Sequence, residues 1–113
     1  MTINEIANLA NDYTDENFSD SPVKGFADSA ISRINVELNT TLPFYGDDTY
    51  LAINDDWQRM IVVPFVCWSI KMNDSSLNEA ERYRIQFESG MVLLRRNKNN
   101  AISEEYRNDG FSN

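Results

Sequence analysis

Residues 57–72 read Trp57-Gln-Arg-Met-Ile-Val-Val-Pro-Phe-Val-Cys-Trp-Ser-Ile-Lys-Met72, and this block decides the fold. It is apolar nearly all round, so a helix made of it belongs in the middle of a body. Four polar residues, 73–76, lead into residues 77–94, whose apolar members recur three and four apart. A joint this short makes the two blocks antiparallel neighbours. The difficulty is Pro64, which deletes one backbone hydrogen bond and crowds the carbonyl of Met60. Either a helix over about 56–73 is kinked at Pro64, or residues 60–63 are extended and the helix starts near the proline. The kinked helix is the expectation, because Trp57, Met60, Ile61, Pro64, Phe65 and Trp68 would keep one face across it.

Working outward, Thr2-Ile-Asn-Glu5 fits a capping box and predicts a helix over about 3–13. Ser21-Pro22 is a helix start, with serine as cap and proline where its missing N–H is not needed. Val23, Phe26, Ala27, Ala30, Ile31, Ile34 and Leu38 continue that helix to about 39. Residues 40–55 are a long loop, with turns at Pro43 and Gly46-Asp47-Asp48. Its Leu42, Phe44, Tyr45, Tyr50, Leu51 and Ile53 give it enough apolar mass to lie against the body, and a short strand at 49–53 is an option. Asn54 or Asp55 can cap the central helix. Ser76-Leu-Asn-Glu79 is a second capping box, opening a helix over about 77–97. Gly90 lies inside that helix's apolar stripe, at ~1 kcal/mol against alanine. It reads as a close approach by another backbone, or as a weak point.

Residues 98–113 are polar, with sparse apolar positions. They read as a tail, mobile unless a partner binds it. Ile102, Tyr106, Arg107 and Phe111 are the residues a partner would take. The expected fold is all-α: a small bundle of about four helices over 1–97, followed by a flexible 98–113 segment.

The 113-residue chain is the size of one domain. Its single cysteine, Cys67, lies among Phe65, Val66 and Trp68 and reads as a buried, inert hydrophobe in a reducing compartment. No signal peptide is visible, and the central block is too interrupted to span a bilayer. Net charge is −8. Residues 1–56 hold 11 acids against Lys24 and Arg33, whereas 57–113 hold 7 acids and 8 bases. The bland reading is a soluble acidic surface; the sharper one is that the two halves face different surroundings.

Histidine is absent, the 4 glycines are isolated, and no nucleophile motif is present, so no enzyme activity, metal or cofactor is expected. The pairs Asp47-Asp48 and Asp55-Asp56 lack the spacing of metal ligands. They read as a turn and a helix start, or as an acidic channel or inter-subunit surface. Arg82, Arg84, Arg95, Arg96 and Lys98 are the only basic concentration. They read as a solvated face, as a patch for an acidic partner, or as the counterpart of the acidic half in self-association.

The order of these elements resembles a known family. A short capped helix precedes a Ser21-Pro22-started amphipathic helix. A loop with Pro43, the apolar helix from Trp57, the amphipathic helix from Ser76 and a polar tail follow. This is similar to the small all-helical head–tail connector proteins of tailed double-stranded-DNA bacteriophages, also called adaptors or head-completion proteins. The likeness covers about residues 2–97 and rests on helix order rather than on a short motif. It implies a virion protein, assembled in the host cytoplasm. About a dozen copies would form a ring beneath the portal protein, extending the DNA channel and meeting the next connector or tail-completion protein. It also implies transient contact with passing DNA, portal docking by the C-terminal segment, and no catalysis. An acidic lumen would let DNA slide. The alternative is an acidic DNA mimic, or a helical regulatory phage protein, that binds a host protein.

Overall fold

A computed structural model describes residues 1–108. The chain forms α1 (Ile3–Thr14), α2 (Asp20–Leu38), α3 (Asp55–Trp57), α4 (Val63–Asn73), α5 (Leu77–Arg96) and α6 (Lys98–Ala101), with a 3-10 turn at Glu104–Tyr106. A π-helical stretch, Gln58–Val62, joins α3 to α4. The molecule is a small all-α bundle. Among the described residues there is no strand, only an isolated bridge between Thr40 and Arg107. The optional strand at 49–53 does not form, because that backbone bonds the N-terminus and a side chain instead.

The helix ends follow local chemistry. Thr2 and Glu5 make the expected capping box: Glu5 N–H donates to Thr2 Oγ1 at 3.1 Å, and Thr2 N–H donates to Glu5 at 2.8 Å. The bond from the Thr2 backbone holds the Glu5 carboxyl below its usual range. The second helix begins two residues before the expected point, at Asp20 after Ser19. Pro22 still fits, because the first-turn N–H groups have no intrahelical acceptor. Asn39 ends α2 in the left-handed region, at φ 56. The second capping box does not form. Ser76 Oγ donates to Asp74, and Glu79 pairs with Lys71.

The apolar block lies in the middle, as its composition requires: α4 packs against α1, α2 and α5. Ile61, Val62, Val66 and Ile70 are fully buried. Lys71, only 5% exposed, sits 3.4 Å from both Glu16 and Glu79. Burial works against its charge, but the two carboxylates outweigh it and hold the ammonium above the usual lysine range. This contact ties the end of α1, α4 and the start of α5 together.

Of the two expected outcomes at Pro64, the continuous helix holds and the extended 60–63 stretch does not. The helix does not break, and the adjustment comes before the proline. Val63 N–H donates to the carbonyl of Gln58, five residues back. A π turn inserts one residue and lets the chain reach Pro64 without stopping. The insertion also rotates the faces. Met60 is 39% exposed and Trp57 only half-buried, whereas Gln58 is fully buried. The single face expected from Trp57 to Trp68 is therefore not kept.

Gly90 settles its own ambiguity. A Cβ there would lie 2.7 Å from the Met60 carbonyl oxygen and 2.9 Å from Ile61 Cγ1. Helix α5 comes in against the π stretch at the only kind of residue that allows it. Gly90→Ala should destabilise the protein by about 1–2 kcal/mol, since overpacking against backbone exceeds the ~1 kcal/mol of helix propensity gained. Gly25, inside α2, has nothing within 4 Å of the same position. Gly25→Ala should therefore stabilise by about 0.5–1 kcal/mol. Urea titrations of the two variants beside wild type check the opposite signs.

Candidate interaction surface

The loop from 41 to 54 is fixed from several sides. Its apolar residues alternate in role: Leu42, Tyr45, Tyr50 and Ile53 are buried, whereas Phe44 is 58% and Leu51 84% exposed. Asn35 of α2 holds Leu42 at both backbone groups, accepting from its N–H at 2.9 Å and donating to its carbonyl at 3.0 Å. Asp28 accepts the Tyr45 N–H at 2.8 Å. The rings of Tyr45 and Tyr50 stack at 4.1 Å. The Tyr50 hydroxyl donates to the Pro43 carbonyl at 2.6 Å.

Gln58 is the pin. Its amide donates to the carbonyls of Ile53 at 2.8 Å and Tyr50 at 3.2 Å, and its oxygen accepts from the Tyr45 hydroxyl at 3.0 Å. All of these partners are loop residues. Burial, then the neighbouring Tyr50 and Asp28, raises the Tyr45 phenol well above its usual range. Burial does the same for Tyr50, with Tyr106 next. Both hydroxyls are neutral donors at any ordinary pH.

The C-terminal segment closes over this loop and corrects the expected tail. Residues 98–108 belong to the body. Ile102 is fully buried, so it is core and not a docking anchor. Thr41 N–H donates to the Tyr106 carbonyl at 2.7 Å, Asn108 N–H to the Asn39 carbonyl, and Arg107 to Asn99 at 2.7 Å. Too few apolar residues for a separate core are still enough to cover one side of an existing core. Phe111 lies outside the described residues.

The structure brings several predicted residues together. Two open depressions flank Tyr50 to Ala52 and share Tyr106. Phe44, Asp47 and Asp48 line one; Asp55, Ser103 and Glu105 line the other. Asp47 and Asp48 are exposed at the loop tip. Asp55 is engaged, 3.1 Å from the ammonium of Met1, and Asp56 is 3.4 Å from Arg59. The four acids thus split into an open pair and a paired one.

The basic residues do not form one patch. Arg82 and Arg95 are about 20 Å apart along α5 at 1.5 Å per residue. Arg82 donates to the Tyr83 hydroxyl and lies over its ring at 5.0 Å. Arg84 grips Glu81 with two nitrogens, which lowers the Glu81 pKa and raises its own. At the other end, Arg95 reaches Glu37 of α2 at 3.4 Å, and Arg96 is exposed. Arg95, Arg96 and Lys98 line a polar corner between α5 and α6. Beside them stand Val92 and Leu93, 43% and 41% exposed. From sequence, Val92 and Leu93 fall outside the α5 stripe with no role assigned, and Phe44 and Leu51 are missed as outward anchors because every apolar residue of the loop is laid against the body. Gln58 was passed over as an interruption of the apolar block.

Among the described residues no group of three or more histidine, cysteine or acidic residues could hold a metal ion. Among the described residues no helix is long and apolar enough to cross a membrane. Burial pushes the Cys67 thiol up to about 12, against smaller opposing effects of its own backbone bond, Arg82 and Lys71.

Gln58→Met should cost about 2–4 kcal/mol, because it leaves the Ile53 carbonyl without a buried donor and the Tyr45 hydroxyl without its acceptor, while the Tyr50 carbonyl keeps only the Met1 ammonium. Hydrogen exchange should show the Tyr45 and Tyr50 amides opening more than those of α4. At pH 8 the native thiol should ignore Ellman's reagent, and the protein unfolded in guanidinium should react with one equivalent. The fold favours the neutral thiol. Its contribution is therefore intact below the ordinary value of 9.0 and lost as pH climbs toward about 12. Denaturation at stepped pH reads that loss.

No family model, no curated protein and no solved structure matches this chain.

Proposed function

We propose that this chain is a structural protein of a tailed phage particle, a connector whose copies form a ring beneath the portal, join head to tail and extend the DNA channel. The observation that carries this reading is the surface built by the 41–54 loop and the 98–108 segment. It presents exposed Phe44 and Leu51 beside Asp47 and Asp48 on a rigid helical bundle. Such a surface fits a protein partner better than a small molecule, because its depressions are shallow and its apolar residues point outward. The helix order described above supplies the rest of the support. Partners on this reading are further copies of the chain, the portal protein and the following connector or tail-completion protein. Passing DNA would meet an acidic surface that does not hold it.

The net charge of −8 favours a second reading, an acidic mimic of DNA that occupies a host protein. Deleting the coding sequence from the phage that carries it separates the two. The connector reading expects filled or leaking heads without tails in electron micrographs of the lysate, and the chain itself among the proteins of purified wild-type particles. Tailed infectious particles from the deletion, or virions that lack the chain, overturn it.

A further inference from the structure

The bundle leaves two surfaces uncovered that match each other. At the loop tip, Phe44 and Leu51 are 58% and 84% exposed beside Asp47 and Asp48. At the end of α5, Val92 and Leu93 are 43% and 41% exposed, and Arg95 and Arg96 follow one turn later. Each surface joins two large apolar side chains to two like charges, and the charges are of opposite sign. Among the candidate charges, Asp55 is held by the Met1 ammonium, Asp56 by Arg59 and Arg84 by Glu81; Arg95 also reaches Glu37 of its own chain at 3.4 Å, and Arg96 beside it is exposed.

We infer that the occupant of the α5 surface is the loop tip of a second copy of this chain. Phe44 and Leu51 of one copy lie on Val92 and Leu93 of the next, with Asp47 and Asp48 facing Arg95 and Arg96. Charge selects this order. A two-fold pairing of either surface with itself would set acid against acid or base against base, which costs affinity and specificity. Loop-to-helix pairing is heterologous, so a pair of copies still has one free loop and one free helix end, and the contact propagates until it closes. The loop can serve as a knob because Gln58, Asp28 and Asn35 already hold its backbone, so little ordering entropy remains to be lost on docking. This inference rests on the self-assembly part of the reading above and names the surfaces that would carry it.

Two charge-reversal variants test it. One carries Asp47→Lys and Asp48→Lys; the other carries Arg95→Glu and Arg96→Glu. Each has two surfaces of one sign, so each should associate at least about tenfold more weakly than wild type. Mixed in equal amounts they should associate again, since the basic loop of the first fits the acidic helix end of the second, and the reverse contact keeps its opposite signs. Sedimentation velocity in about 50 mM salt, repeated near 500 mM where screening should weaken every contact, reads all three. Thermal melts by circular dichroism establish that both variants fold. Wild type that stays monomeric up to about 1 mM, variants that associate as wild type does, or a mixture that stays monomeric overturns the inference. Rescue by mixing, together with absence of the chain from virions, would leave the contact standing and remove the connector role. Presence in virions with unaffected charge variants would do the opposite.

Discussion

The structure turns on the missing N–H of Pro64. A helix that carries proline two turns in must give up one backbone bond and find room for the ring. This chain meets the constraint one turn earlier, with the π stretch Gln58–Val62. Two consequences follow from the single inserted residue. The Met60 carbonyl lies against Gly90, which lets α5 pack close to the central helix. Gln58 turns inward, where its amide binds the loop carbonyls of Tyr50 and Ile53 and receives the Tyr45 hydroxyl.

From there the surface assembles itself. Gln58, Asp28 and Asn35 hold the backbone of residues 42–53 from beneath. With the backbone held, alternate side chains have no choice of direction: Leu42, Tyr45, Tyr50 and Ile53 enter the core, and Phe44 and Leu51 face solvent. The 98–108 segment then covers the remaining side by burying Ile102 and bonding Thr41 through the Tyr106 carbonyl. A buried polar network of this kind is favourable only when its members are satisfied, and here each polar atom of Gln58 has a partner. The same network that stabilises the core therefore sets the shape offered to other molecules.

Charge is distributed on the same principle. Of the acids singled out in the sequence, Asp55 and Asp56 are used within the fold, and Asp47 and Asp48 are not. Of the bases, Arg84 is neutralised by Glu81 on its own helix and Arg95 is shared with Glu37 of α2, whereas Arg96 stands exposed at the end of α5 near Val92 and Leu93. Surface ion pairs within one helix add little stability. Their larger effect here is subtractive, since they remove charges from those left to face a partner.

Local pattern was enough for the elements whose cause is local. The Thr2–Glu5 capping box, the three-four spacing of Val23 to Leu38, the helix end at Asn39 and the stripe from Leu77 to Leu94, whose first member alone is exposed, are readable because each depends on neighbours within a turn or two. An all-α bundle with the 57–72 block at its centre follows from them. The failures share the opposite character. The Ser76–Glu79 box was legible and did not form, because Lys71 offers Glu79 a charge from another helix. The tail reads as mobile because its apolar content is low, and no pattern within it reveals that the core lacks a cover where Ile102 fits. Hydrophobicity alone determined which helix is central. Tertiary structure decided how that helix passes Pro64, which of Phe44, Tyr45, Tyr50 and Leu51 faces out, and which charges remain open, because each of these depends on a partner distant in the chain.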